Sequence, residues 1–400
     1  VELTKEEERI LAGEEGEARQ QAMRLLVALG RIFGAKRMIR VRSAQISGVS
    51  YRTIGDAGLE FLEDFARAGA RASIRATLNP CGMDLRRWRR MGVPPEFAEK
   101  QLRIARAFKR MGIELTWTCT PYYASNRPRF GQSLAWAESS AVAFANSVLG
   151  ARTNREGGPA ALASAVVGRT PLYGLHLDSE REPTHSIRMG FKPSNDLEYN
   201  LLGYFLGKSL GSAIPLISGL GRPGLDDLKY LGASAAASGG IALFHVEGVT
   251  PEAKRGRFDG RGLEALGIGE EDLIAVKDAL SSSRDFDWVL LGCPHLSLAE
   301  LGAIAGLVRG KRLRKRLICF TSRAVRAEAS RRGYIRAIER AGGLVACDTC
   351  MVVSPLEAMG IDGAYTNSCK AAHYMPSLSG AEAALRSLRD CVHVAIQAGP

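Results

Sequence analysis

Short apolar runs alternate with amphipathic helical stretches along almost the whole chain, and this alternation limits the fold more than any other feature. The run at 38–41 precedes helical spacing at 57–67, the run at 72–77 precedes 96–111, and 113–117 precedes 136–149. Further runs follow at 213–217, 241–246, Trp288–Leu291, 317–320 and 344–346, with helical spacing at Leu298–Val308 and 324–341. A helix between two strands returns the chain to the same end of a sheet, so the strands pair in parallel. The expectation is an α/β protein of multi-lobed α/β/α architecture with largely parallel sheets. At the N-terminus, Thr4 and Glu7 form a capping-box sequence ahead of helical spacing that extends to about Phe33.

Size and charge narrow the class. A chain of 400 residues exceeds what one core usually organises, so two or three lobes are expected, with a break near 150–160 around Gly157-Gly158-Pro159. No apolar run approaches the roughly 18 residues of a membrane span, and the opening VELTKEEERI is too charged for a signal peptide. A soluble cytoplasmic protein with no membrane partner is expected. The net charge is +12, from 54 basic and 42 acidic residues, and 42 of the basic residues are arginine. Apart from Lys311–Arg316 and Arg86–Arg90 the basic residues look dispersed, and aromatic residues are not interleaved with them. That pattern lacks the stacking platform of a single-strand binder, so no nucleic-acid partner is expected. Attraction of anionic metabolites or heat-adapted ion pairing fits the excess better.

Eight cysteines are too few for a disulfide scaffold in a chain of this length. Their positions are informative. In parallel α/β sheets ligands bind beyond the carboxyl ends of strands, and most of the cysteines fall there: Cys81 after Asn79-Pro80, Cys119 after Thr118, Cys293 before Pro294-His295, Cys347 and Cys350 around Asp348-Thr349, and Cys369 before Lys370. Cys319 and Cys391 instead lie inside a strand and a helix. Thiolates gathered from distant segments suit a soft metal or an iron–sulfur cluster; inert buried thiols are the alternative. Structural zinc prefers paired Cys-x-x-Cys units, and only Cys347/Cys350 offers one. Other candidates are the Ser47-Gly48-Val49-Ser50 turn as a phosphate nest, Ser139-Ser140 at a helix start, Lys370 as a cation or general acid, and His295 as an acid, a base or a loop brace.

Six stretches in order, QISGVS (45–50), TLNPCGMDL (77–85), TWTCTPYY (116–123), LGCPHLS (291–297), VACDTCMVVSP (345–355) and TNSCKAAHY (366–374), resemble the aconitase X family along essentially the whole chain. The resemblance implies an iron–sulfur hydro-lyase. One group of that family acts on cis-3-hydroxy-L-proline; an archaeal group dehydrates (R)-5-phosphomevalonate and keeps its swivelling domain on a separate small subunit. A 400-residue chain has no room for a fused swivelling domain, so the resemblance favours the second group: a phosphorylated hydroxy-acid substrate and a small-subunit partner. It further implies a 4Fe–4S cluster with one open iron position, held by Cys119, Cys293 and Cys350, with Cys347 as the reserve ligand. Cys81 and Cys369 are placed in the pocket without a ligand role. Gly48, Val49, Ser50, Asn79, Pro80, Ser139, Ser140 and Lys370 are the implied substrate contacts, with Arg52 or Lys192 near the phosphate. Lys370, Ser139, Ser140 and His295 are the catalytic candidates.

Overall fold

The computed structural model describes residues 1–254, 258 and 260–397. Three parallel sheets organise it, each drawn from its own stretch of chain. The first has the spatial order Arg75–Leu78, Ser43–Ile46, Ala135–Trp136. The second runs His245–Val246, Pro215–Ser218, His185–Met189, Glu264–Ile268. The third runs Leu344–Cys347, Arg316–Thr321, Trp288–Leu291, Gly363–Thr366, Glu382–Leu385. An antiparallel pair, Met38–Arg40 with Arg169–Pro171, joins the two ends of the first lobe. The α/β class with parallel sheets is the observed one.

Strand order fixes where a ligand can sit. In the third sheet the chain first steps outward from Trp288–Leu291 to Leu344–Cys347. It then returns to add Gly363–Thr366 and Glu382–Leu385 on the other side. The crossovers on the two sides of Trp288–Leu291 diverge, which leaves a crevice beyond the ends of that strand and of Gly363–Thr366. The first sheet does the same around Ser43–Ile46. Cys293 and Lys370 follow the two strands at the first crevice; Ser47 and Glu138 follow those at the second.

Several elements differ from expectation for identifiable reasons. The strand feeding QISGVS is Ser43–Ile46, not 38–41. It is fully buried despite two polar residues, because Gln45 donates to the Thr118 carbonyl at 2.8 Å and bonds the Thr77 hydroxyl. The run 113–117 contributes only a single bridge, Glu114 to Thr77. The helical stretch at 324–341 is two helices, Arg323–Arg331 and Tyr334–Ala341, because Gly333 adopts φ +78° between them. Helix 136–149 begins at Ser139, with Trp136 in a strand and Glu138 as its cap. The Thr4–Glu7 capping box is formed, but its helix ends at Ala12 and a second runs Glu17–Ile32. No helix among the described residues is long and apolar enough to cross a membrane.

Buried charge ties the lobes together. Lys229 of helix Leu225–Ser238 bonds Glu300 of helix Leu298–Val308 and reaches Asp226 at 3.1 Å. Arg323 of the third lobe bonds Asp348 and reaches Asp84 of the first at 3.2 Å. Lys229 and Glu300 are both buried, so removing either strands the other without solvent, at about 3–5 kcal/mol; the Arg323 group is worth less because its guanidinium is partly exposed. The relative placement of the strand ends is therefore stiff.

Candidate active site

The strand ends of the first and third sheets enclose a cavity of about 190 Å³. Ser47, Asn79, Pro80, Cys119, Glu138, Ser139 and Arg155 line it from the first lobe; Cys293, Cys350, Lys370 and Tyr374 line it from the third. The three cysteines read from sequence as one set thus line one cavity, although 231 positions separate the first from the last. The Cys350 thiol donates to the Cys293 sulfur, which holds Cys293 below the ordinary thiol value. Burial pushes Cys119 up to about 12, aided by the Glu138 charge.

Cys347, Cys81 and Cys369 do not line the cavity. Cys347 ends a strand, with its backbone N–H given to Asp84 at 2.9 Å. Cys81 donates its thiol to the Met83 carbonyl at 3.3 Å, and burial alone pushes Cys369 up.

His295 is behind the wall, not in it. Its backbone N–H donates to the Cys119 sulfur at 3.2 Å, its Nδ1 accepts from the Thr118 hydroxyl at 3.0 Å, and its Nε2 donates to the Thr349 carbonyl at 2.9 Å. Burial lowers its pKa to about 4, so the ring is neutral at physiological pH with both nitrogens engaged. This corrects its reading as an acid or base. One residue instead laces together the loops that carry Cys119, Cys293 and Cys350. Gly48, Val49 and Ser50 are likewise not brought to the cavity. Ser50 caps helix Tyr51–Arg67 and donates to the Val353 carbonyl at 3.0 Å, and the Val49 carbonyl accepts from Gln101 at 3.0 Å. Only Ser47 of that turn reaches the wall, and Lys192 lines a different cavity. Arg52 gives its Nε to the Leu378 carbonyl at 2.9 Å.

The residue that sequence reading missed is Glu138. It is 8% exposed, and its carboxylate accepts from Lys370, from Asn79 Nδ2 at 2.6 Å and from the Ser140 hydroxyl at 2.9 Å. Burial opposes its ionisation, but the Lys370 ammonium and these donors outweigh it and hold the carboxyl at about 2. Glu138 and the nearby thiol sulfurs in turn raise Lys370, against the effect of burial, so the pair is ionised at neutral pH. Two further features aim positive potential at the cavity: the N-termini of helices Ser139–Ser147 and Cys369–Ser379. Asn79 Oδ1 is buried without a hydrogen-bond partner, an acceptor left over at the cavity wall. The available signal for Glu138 was its position just before Ser139-Ser140, where an acid caps a helix.

No three His, Cys, Asp or Glu among the described residues are placed to hold a single metal ion. A four-iron cluster makes a different demand, since each thiolate meets a different iron and the sulfurs stand well apart around one inorganic core. Three thiols lining one cavity, together with a Lys–Glu pair and an orphaned amide oxygen, supply a donor set of that kind, with the Cys293 and Cys350 sulfurs hydrogen-bonded to each other.

Parallel sheets whose facing strand ends enclose a thiol-lined cavity define a multi-lobed α/β protein with a cleft between its first and third sheets. Family models described as the aconitase X first, second and third domains match residues 1–179, 183–278 and 286–397, and the chain belongs to the aconitase X family. It is 50% identical over 388 residues to the phosphomevalonate dehydratase large subunit of Methanocaldococcus jannaschii, covering 95% of this chain and 96% of that one. It is 39% identical over 399 residues to the cis-3-hydroxy-L-proline dehydratase of Pseudomonas aeruginosa, covering 97% of this chain but 68% of that one. The crystal structure of Thermococcus kodakaraensis aconitase X in its holo-form superposes with a TM-score of 0.93 at 48% identity, covering 99% of this chain and 100% of that one.

Proposed function

We propose that the chain is the large, catalytic subunit of a hydro-lyase that converts (R)-5-phosphomevalonate to trans-anhydromevalonate 5-phosphate and water. It would act with a small subunit that carries the swivelling domain and completes the cleft. The observation that carries this reading is end-to-end likeness, at half of all positions, to a phosphomevalonate dehydratase large subunit. The hydroxyproline relative is both less similar and substantially longer.

Cys119, Cys293 and Cys350 are the proposed holders of a 4Fe–4S cluster, and His295 keeps their loops in register. When bound, such a cluster supplies a Lewis-acidic iron with an open position for the leaving hydroxyl. The rest falls to side chains. Elimination needs a proton removed from the carbon beside the substrate carboxylate, a weak carbon acid whose developing charge must be stabilised. Lys370, charged and buried in the wall, is the group for that carboxylate. A carboxylate docked on Lys370 draws the ammonium away from Glu138. Burial then pushes Glu138 up from about 2, towards values at which it can take a proton. Asn79 Oδ1 is placed to accept from a substrate hydroxyl, and Ser139 lines the same wall. Arg155, exposed and on the cavity wall, is the proposed phosphate contact in place of the Gly48–Ser50 turn.

The test is to co-express the chain with its small subunit and assay (R)-5-phosphomevalonate beside cis-3-hydroxy-L-proline. Turnover of the first alone is expected, and none by the isolated large chain. Preference for the hydroxyproline would overturn the substrate assignment; full turnover by the single chain would overturn the partner assignment.

A further inference from the structure

The positive charge of this chain is concentrated in one place. Residues 309–340 hold twelve lysines and arginines against two acids, a net of +10 in a chain whose total is +12. The rest of the sequence is almost neutral, its 42 basic residues offset by 40 acids, so the excess charge lies almost wholly in this stretch.

The fold gathers part of this stretch into a groove of about 500 Å³ on the third lobe, away from the thiol-lined cavity and sharing no residue with it. One wall is the turn after helix Leu298–Val308, where Gly310 at φ +72° presents Arg309 and Lys311. The other is helix Tyr334–Ala341 and the residues before it, where Arg332, Arg336 and Arg340 recur every fourth position and so share a face. Arg332 is held by Glu328 at 2.9 Å. Arg309, Lys311, Arg336 and Arg340 are exposed and have no acidic partner among the described residues, and no acid lines the groove. Like charges at i,i+4 work against a helix. A concave surface that keeps five cations together with no acid in its lining is therefore organised for a counter-charge from outside.

The chemistry of the lining selects among anions. Guanidinium forks match phosphate oxygens in pairs. Four free cations on opposite walls call for several linked negative groups rather than one. The rest of the lining is small and aliphatic, with no aromatic ring on which a nucleobase could stack. We propose that this groove binds an oligophosphate chain, whose linked phosphoryl groups can meet the cations of both walls at once. Such a chain can be inorganic or the triphosphate tail of a nucleotide, and the groove reads only the phosphates.

The experiment titrates the purified chain, and its complex with the small subunit, with inorganic tripolyphosphate, ATP, adenosine and monophosphate at constant ionic strength, followed by calorimetry. Tripolyphosphate and ATP are expected to bind with affinities within a few-fold of each other, and adenosine and monophosphate at least about 10-fold more weakly. R336E/R340E should weaken tripolyphosphate by about 10-fold or more, the worth of a charge-assisted hydrogen bond. The exposed turn pair R309S/K311S, on the other wall, should do the same and covers the case in which the helix variant fails to fold. Binding unchanged in both variants would overturn the proposal. So would ATP binding without tripolyphosphate binding, or binding of duplex RNA in preference to either.

Discussion

Replacing Lys370 by methionine keeps the bulk of the side chain and removes its charge, which leaves Glu138 buried, 8% exposed, without its ammonium. The size of the effect follows from the carboxyl itself. An ordinary value of 4.5 falls to about 2 in the folded chain, and at 1.36 kcal/mol per unit the difference is roughly 3 kcal/mol of stability at neutral pH. Breaking a buried ion pair from one side costs about 3–5 kcal/mol by the same physics, so K370M should lose about that much. E138Q strands Lys370 instead and should lose a comparable amount, while E138Q/K370M strands nothing and should lose much less than the sum. The sign with pH is fixed. A carboxyl depressed by folding contributes fully above pH 4.5, and that contribution disappears as pH falls from 4.5 towards 2. The gap between wild type and E138Q should therefore be flat from pH 8 to 5 and close below 4.5. The assay is urea unfolding of the four proteins at pH 7, with wild type and E138Q repeated down to pH 3. Single losses that add in the double variant to within about 0.5 kcal/mol would refute the pair, and with it the idea that a substrate carboxylate on Lys370 reprograms Glu138.

The thiol wall and the loop brace can be separated by spectroscopy. Cys119→Ala, Cys293→Ala and Cys350→Ala should each abolish or strongly bleach the broad visible absorption and the iron content of anaerobically reconstituted protein, whereas Cys347→Ala should keep both; loss in Cys347→Ala with retention in Cys350→Ala would reverse the ligand assignment. His295→Ala removes two buried side-chain hydrogen bonds and leaves the Thr349 carbonyl unpaired, so about 2–4 kcal/mol of stability should go. Its reconstituted cluster should also be lost faster to a chelator, although His295 touches no substrate; an unchanged loss rate would remove it as a brace. Acid sensitivity should come partly from His176, which is buried with neither ring nitrogen hydrogen-bonded and held at about 4, first by burial and then by the Arg181 and Arg152 charges. A histidine depressed by folding stabilises fully above its unfolded value of 6.5 and loses that stability as pH falls from 6.5 to 4, here by roughly 3 kcal/mol. His176→Leu should flatten that part of the Tm–pH curve, and a curve of unchanged slope would show that another group carries it.

The legibility of this molecule from sequence follows the distinction between local and non-local chemistry. Parallel α/β architecture was readable because Trp288–Leu291 and 317–320 are apolar runs with helices between them, a pattern that needs no knowledge of tertiary contacts. Strands that carry their own polar groups were not. Ser43–Ile46, His185–Met189 and Gly363–Thr366 include Ser, Gln, His, Arg and Thr, and they qualify as strands only because the sheet supplies partners for backbone and side chain alike. Glycine conformation was half readable. Gly333 is visible as a residue, but that it splits a helix rather than sitting within one depends on the packing that puts it at φ +78°.

The same distinction explains why the site was found in part. The cysteines at strand ends were legible because the ligand rule for parallel sheets is positional: a residue type at the carboxyl end of a strand carries its meaning before the sheets are assembled. Glu138 and His295 have no such local meaning. An acid before Ser-Ser is an ordinary helix cap. It becomes the counter-charge of Lys370 only when strands Ala135–Trp136 and Gly363–Thr366, 228 positions apart at their starts, deliver their following loops to one cavity. A histidine after Cys-Pro looks reactive because imidazole usually is, yet here Thr118 and Thr349 occupy both its nitrogens. Reactivity is thus withdrawn from the residue that advertises it and, in the proposed reaction, lodged in one that does not. The agent in both cases is desolvation, which suppresses the charge of His295 and, through Lys370, makes that of Glu138 conditional on what else enters the cavity.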